Sequence, residues 1–142
     1  MSSGPVVGDA WSVLFGALKQ VRSSWPARGW SWDTRLLCVT SSFNVEIEAK
    51  ARSAVSLALA TEWTGTSIQR APLSLRDLAE RTGGLRSGQM ILTNANIGAS
   101  YGYALWWPWG DSITTSVRIG LAGPDAREDA LRRLREVFGV EA

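Results

Sequence analysis

Residues 43–63, FNVEIEAKARSAVSLALATEW, decide the fold, because they support two readings that lead to different topologies. Phe43, Val45, Ile47, Ala49 and Ala51 alternate with Asn44, Glu46, Glu48, Lys50 and Arg52, the period of two that gives a strand one dry and one wet face. The same odd parity continues through Val55, Leu57, Leu59 and Trp63 after a break near Arg52-Ser53. Against this, Glu, Ala, Lys, Arg and Leu are good helix formers, so the stretch also reads as one helix over 45–63. On a helix the charges at 46, 48, 50 and 52 would be spread around the girth, whereas on a strand they share one face. The alternation favours two strands.

Upstream, the branched apolar run LLCVT at 36–40 reads as a preceding strand, and Trp11, Leu14, Phe15, Leu18 and Val21 fall at helical spacing after Asp9. This first helix should end in SSWPARGWSWD at 23–33, where Pro26 and Gly29 break it and Trp25, Trp30 and Trp32 are available to pack over its exit. Residues 1–8 are expected to form a flexible N-terminus.

Downstream, Ser74 can cap a short helix to Thr82, with Asp77 reaching back to it, Leu73 stapled to Leu78, and Gly83-Gly84 as the stop. A strand follows near GQMILT (88–93). Then Tyr101, Tyr103, Leu105 and Trp107 share one face of a strand whose other face carries Ser100, Gly102, Ala104 and Trp106. Pro108-Trp109-Gly110-Asp111 supplies a turn, with glycine free to take a positive φ, into a strand alternating Ile113, Thr115, Val117, Ile119 and Leu121 with Ser112, Thr114, Ser116, Arg118 and Gly120. Pro124 opens a last helix with Asp125, Glu128 and Asp129 in its early turns, an apolar stripe of Ala130, Leu131, Leu134, Val137 and Phe138, and a stop at Gly139. The whole chain, 1–142, therefore reads as a single α+β domain in which antiparallel sheet is flanked by three helices, in the order α-βββ-α-βββ-α.

The composition excludes more chemistry than it suggests. There is no histidine, which removes the usual general base near neutral pH, the Ser-His and Cys-His nucleophile pairs and the commonest zinc ligand. The single cysteine, Cys38, sits in an apolar run, so an inert buried thiol in a reducing, cytoplasmic compartment is expected, and neither a metal nor a cofactor is implied. Residues 83–90, GGLRSGQM, have the glycine spacing of a phosphate-binding loop. Gln89 replaces the required lysine, though, and Met90 the magnesium-binding hydroxyl, so the segment reads as a helix stop and connection. Glu46 and Glu48 share a predicted face with Lys50 and Arg52, which points to a solvated charge ladder and not to paired catalytic acids. Thirteen arginines and two lysines face thirteen carboxylates, and the densest basic stretch, Arg127 to Arg135, contains Glu128 and Asp129; nucleic-acid binding is not favoured. No run of apolar residues is long enough to span a membrane.

Eight tryptophans remain to be placed. Trp11, Trp63 and Trp107 lie on apolar faces and are expected in the core. Trp106 points away from the face of Trp107, and Trp109 sits in the turn, so these two are the candidates for exposure. With Arg118 on the wet face of the adjoining strand they form a candidate protein interface, since Trp and Arg dominate interaction hot spots. The element order is loosely similar to that of small bacterial secretion-chaperone-like modules, which flank an antiparallel sheet with helices and often dimerise around a partner chain. With most catalytic chemistry excluded, the leading expectation is a non-enzymatic binding or adaptor module that uses its sheet or the 104–111 hairpin to hold another protein or a second copy. The competing expectation is a small-ligand protein or carboxylate-based enzyme whose pocket is lined by Trp63, Tyr101, Tyr103 and Trp107 around Asp33 or Glu62. A third is a structural subunit of a larger assembly, held through paired edge strands.

Overall fold

The computed structural model describes residues 6–27, 29–94 and 99–141. The chain runs α1 (Val6–Ser24), β1 (Ser31–Asp33), β2 (Cys38–Asn44), α2 (Glu48–Ser56), β3 (Thr61–Trp63), α3 (Leu73–Arg81), β4 (Met90–Thr93), β5 (Tyr101–Pro108), β6 (Thr114–Ala122) and α4 (Glu128–Phe138), with 3-10 turns at Val45–Ile47 and Ile68–Arg70. The six strands make one antiparallel sheet in the order β1-β2-β6-β5-β4-β3. The α+β class, the antiparallel sheet and the number of strands are as the sequence predicts, but β1 falls in the stretch read as a loop, the strand read over 43–52 does not form beyond Asn44, and the helices number four, not three.

The extra helix is the contested stretch. Residues 45–56 are helical, and only Thr61–Trp63 of the predicted third strand is extended. Burial explains the outcome: Ala51, Ala54, Val55 and Leu59 are buried, at the spacing of three and four that defines a helix face, while Val45 and Leu57, both on the predicted dry face, are exposed. The Asn44 side chain accepts a hydrogen bond from the Glu46 amide at 2.8 Å, which starts the turn as β2 ends. The charge ladder is thereby dissolved into helix surface, and Arg52 pairs instead with Glu62 on β3.

One face of the sheet is covered by α1, α2 and α4. Trp11, Leu14, Phe15, Leu18 and Val21 of α1 and Leu131, Leu134 and Phe138 of α4 pack there on Val39, Phe43, Ala104, Val117 and Ile119, so the stripes predicted for both helices face the core. A Cβ on Gly102 would come within 2.8 Å of Leu14, so glycine is what lets α1 lie this close to β5. The opposite face is covered by α3, where Leu75, Leu78 and Ala79 meet Ile91, Tyr101, Tyr103 and Leu105. Two covered faces make β5 buried from Tyr101 through Trp106 without alternation.

Several local expectations change. The helix α1 already includes residues 6–8, and residues 1–5 lie outside the described residues. Pro72, not Ser74, precedes the first turn of α3, no side chain caps it, and Leu73 is exposed, so no hydrophobic staple forms. Gly83 and Gly84 do stop α3, both at positive φ. Pro124 precedes α4 by several residues, and Gly139 closes that helix in the left-handed conformation. In the β5–β6 turn the positive φ falls on Ser112 and not on Gly110, and Ile113 is exposed instead of starting the buried series of β6.

Candidate functional site

Register places the face under α3 in rows. Asp33, Cys38, Gly120, Tyr103 and Thr93 form one, Ser31, Thr40, Arg118, Leu105, Ile91 and Trp63 the next, and Ser42, Ser116 and Trp107 a third. The aromatic and aliphatic members lie toward β3, under α3. The hydroxyls and Arg118 lie toward β1, where the face opens into a groove of about 650 Å³. Its floor is Ser31, Thr40, Ser42 and Ser116, and Trp30, Trp107 and Trp109 stand around it, with Gln89 beyond β5.

Arg118 is the one charged residue among the described residues lining this groove. Its guanidinium carbon lies 4.8 Å from the centroid of the Trp107 ring, a cation–π stack. One terminal nitrogen donates to Ser116 Oγ at 3.3 Å, and Nε lies 3.6 Å from Asp33 Oδ2. Asp33 is itself held: Oδ1 accepts from the backbone N–H groups of Arg35 at 2.9 Å and Leu36 at 3.1 Å. Burial by itself would raise the Asp33 pKa; the two backbone hydrogen bonds, then the charges of Arg118 and Arg35, outweigh it and hold the carboxyl below its ordinary value. Behind this pair, burial foremost and the Asp33 charge second push the Cys38 thiol up to about 12, so it stays protonated.

The groove is continuous through Trp109 with the β5–β6 hairpin tip. Asp111 Oδ1 accepts from the amides of Ile113 at 3.0 Å and Thr114 at 2.9 Å, and Oδ2 accepts from the Thr114 hydroxyl at 2.8 Å. The Trp109 amide donates to the Thr114 carbonyl at 2.7 Å, and the Val45 amide to the Ile113 carbonyl at 2.8 Å, which ties the start of the 45–47 turn to the tip. Hydrogen bonding to the Ile113 amide is the leading reason the Asp111 pKa is lowered. The turn so held presents Trp109 at 52% exposure and Ile113 at 54%, next to the exposed Val45.

The predicted site residues divide. Trp109 is exposed and Arg118 is on the open half, as expected. Trp106 is not exposed. At 1% it is among the largest fully buried side chains, 5.3 Å from the Phe43 ring in the core beneath α1 and α4. Alternation places Trp106 outside only if the face of Trp107 is the single dry one; with helices on both faces, the residue opposite Trp107 is interior too. Trp107 and Trp63 are half-buried at the margin of the α3 cluster, not central to a core, and Trp63 Nε1 donates to Thr93 Oγ1 at 3.1 Å. Tyr101 and Tyr103 are buried under α3. Tyr103 reaches over β6, so that a Cβ on Gly120 would meet its hydroxyl at 2.5 Å. Asp33 and Glu62 are on opposite edge strands, β1 and β3, and on opposite faces. Five strand spacings, roughly 24 Å, separate them. They cannot act as a pair on one substrate.

Trp25 and Trp30 do gather at the exit of α1: the Trp25 ring lies 4.8 Å from Trp30 and 5.7 Å from Phe43, and Trp25 Nε1 donates to Ser41 Oγ, whereas Trp32 lies against α4 with the Arg135 guanidinium carbon 4.9 Å from its ring. Sequence reasoning missed that Trp30 of this cluster also borders the groove, and it missed Ile113, Val45 and the hydroxyl floor. The floor had a signal: Ser116 shares the parity of Arg118 in β6, and Thr40 and Ser42 share one parity in β2.

Among the described residues, no group of three or more His, Cys, Asp or Glu side chains is placed to hold a metal ion. No described helix is long and apolar enough to cross a membrane. Compared with protein-family models, curated proteins and solved structures, the chain has no significant match.

Proposed function

We propose that the chain is a non-enzymatic binding module that holds another protein through the β5–β6 hairpin tip and the open groove beside it. One observation carries the reading: Trp109 and Ile113 are held out in solvent by a turn that Asp111 fastens with three hydrogen bonds. A large apolar side chain left exposed on a stiff turn costs little conformational entropy when a partner covers it, which is how interface anchors gain affinity. The stacked Arg118 and Trp107 beside it add the polar and aromatic chemistry enriched in such sites. The pocket-enzyme reading has less behind it, because Tyr101 and Tyr103 are buried under α3 and either carboxylate offered for the pocket, Asp33 or Glu62, is paired with an arginine.

The test is affinity capture with the wild-type chain against a Trp109→Ser/Ile113→Ser variant, each checked by circular dichroism and sedimentation velocity. A binding species held by the wild type and lost by the variant supports the proposal; a change in mass confined to the pair would identify that species as a second copy. If the variant keeps every binding species and the same mass, the proposal fails.

A further inference from the structure

We infer that the groove receives an acidic side chain of an extended partner segment, with Arg118 as its anchor and the surrounding tryptophans covering the apolar residues on either side. This rests on the protein-binding reading above and names the chemistry of the partner. Four features carry it.

The first is charge. Arg118 is the sole charged residue lining the groove among the described residues, and its side chain keeps 23% of its surface exposed. The second is preorganisation. The Trp107 ring, Ser116 Oγ and Asp33 hold the guanidinium from three directions, and Asp33 is fastened by the Arg35 and Leu36 amides. A planar fork already oriented loses little freedom when it binds a second carboxylate, and charge-assisted pairs of this kind are the strong hydrogen bonds. The third is incomplete satisfaction. Asp33 approaches on the Nε side at 3.6 Å, beyond hydrogen-bond length, and Nε is buried without a hydrogen-bond partner, so Asp33 orients the group more than it saturates it. The fourth is the floor and walls. Ser31, Thr40, Ser42 and Ser116 offer hydroxyls that can donate to a carboxylate or pair with a peptide backbone, while Trp30 and Trp109 supply apolar surface for the flanking side chains. A volume near 650 Å³ matches a few residues and exceeds what a lone carboxylic acid would fill.

The experiment uses the full chain and two blocked peptides, acetyl-Leu-Phe-Glu-Phe-Leu-amide and its Gln counterpart, which differ in one carboxylate. Binding is followed by NMR through the indole N–H signals of Trp30, Trp107 and Trp109, with benzoate as a free-acid control. The Glu peptide should bind about tenfold more tightly than the Gln peptide, and the advantage should shrink with added salt. Arg118→Gln should erase the preference while leaving the spectrum of the Trp106 core signals in place. Should that variant misfold, Arg118→Lys keeps the charge without the planar fork and should keep only part of the preference. Equal binding of the two peptides, or neither shifting the groove indoles, overturns the inference, as does benzoate binding as tightly as the Glu peptide. Failure here with the hairpin variant still losing its partner leaves the protein-binding reading standing; an unaffected hairpin variant removes that reading itself.

Discussion

Two ends of one sheet face differ in that one is covered by a helix and the other is left open. Toward β3 and β4 the face is Tyr101, Tyr103, Leu105 and Ile91, all buried under α3; toward β1 and β2 it is Ser31, Thr40, Ser42, Ser116 and Arg118, left to the groove. The strands continue unbroken across the change, since β6 pairs with β2 along seven residue pairs and with β5 along eight. The difference therefore lies in side chains alone. Apolar rows draw a helix onto the sheet because covering them removes large areas from water, whereas a hydroxyl row gives a helix nothing to bury and remains available to a ligand. Trp106 and Trp107 show the same division one residue apart, one in the core and the other at the groove.

The largest effects should come from the covered regions. Trp106→Ala leaves a cavity next to Phe43 beneath α1 and α4, and should cost about 3–5 kcal/mol by urea denaturation. Trp107→Ala, at the groove margin, should cost distinctly less; equal losses would break the contrast between the two neighbours. Next comes Gly120→Ala, which places a methyl against the Tyr103 ring and hydroxyl and should destabilise by roughly 1–3 kcal/mol. Pairing it with Tyr103→Phe tests the cause: if the clash is at the hydroxyl, part of the loss returns, and if nothing returns the ring itself is the obstacle.

A smaller effect belongs to the open end. Asp33→Asn removes the partner of Arg118, a pair worth about 1 kcal/mol or less at this exposure. Because the folded-state pKa of Asp33 is lowered, its contribution is fully present above the ordinary carboxylate pKa and is lost as pH falls through the depressed folded value. Denaturation midpoints of wild type and Asp33→Asn should thus differ most near neutrality and converge below about pH 4. A gap that stayed constant down to pH 2 would mean the substitution acts through packing or local geometry and not through the ionised carboxylate.

How much of this was legible in the sequence follows the same division. The stripes of α1 and α4 could be read because burial on one side enforces them, and the helix stops at Gly83-Gly84 and Gly139 because positive φ favours glycine; β5 and β6 could be read as strands although both of their faces are largely buried. Residues 45–56 misled because Val45, Ile47, Ala49 and Ala51 alternate by accident, while the face that packs, Ala51, Ala54, Val55 and Leu59, is composed of residues equally at home in either pattern. Trp106 misled for a different reason: alternation tells which residues share a face, but not whether a distant helix will cover the second face. The groove needed long-range register, since Ser31, Thr40 and Arg118 become neighbours only when β1, β2 and β6 pair.

The smallest expected change in stability is also the sharpest test of what the exposed end is for. Trp109→Ala removes a large aromatic from the hairpin tip, yet its ring is half in solvent and the turn is held by Asp111 and the Trp109 and Val45 amides, none of which the substitution touches. Stability should therefore stay within about 0.5 kcal/mol of wild type, while the fraction of tryptophan fluorescence readily quenched by acrylamide should fall. A loss of several kcal/mol would mean the indole fastens the tip to the groove wall, and Trp109 would then belong with Trp106 as structure. A near-zero cost with loss of quenching leaves an aromatic surface that folding does not need, which is the condition the proposed docking role of Trp109 requires.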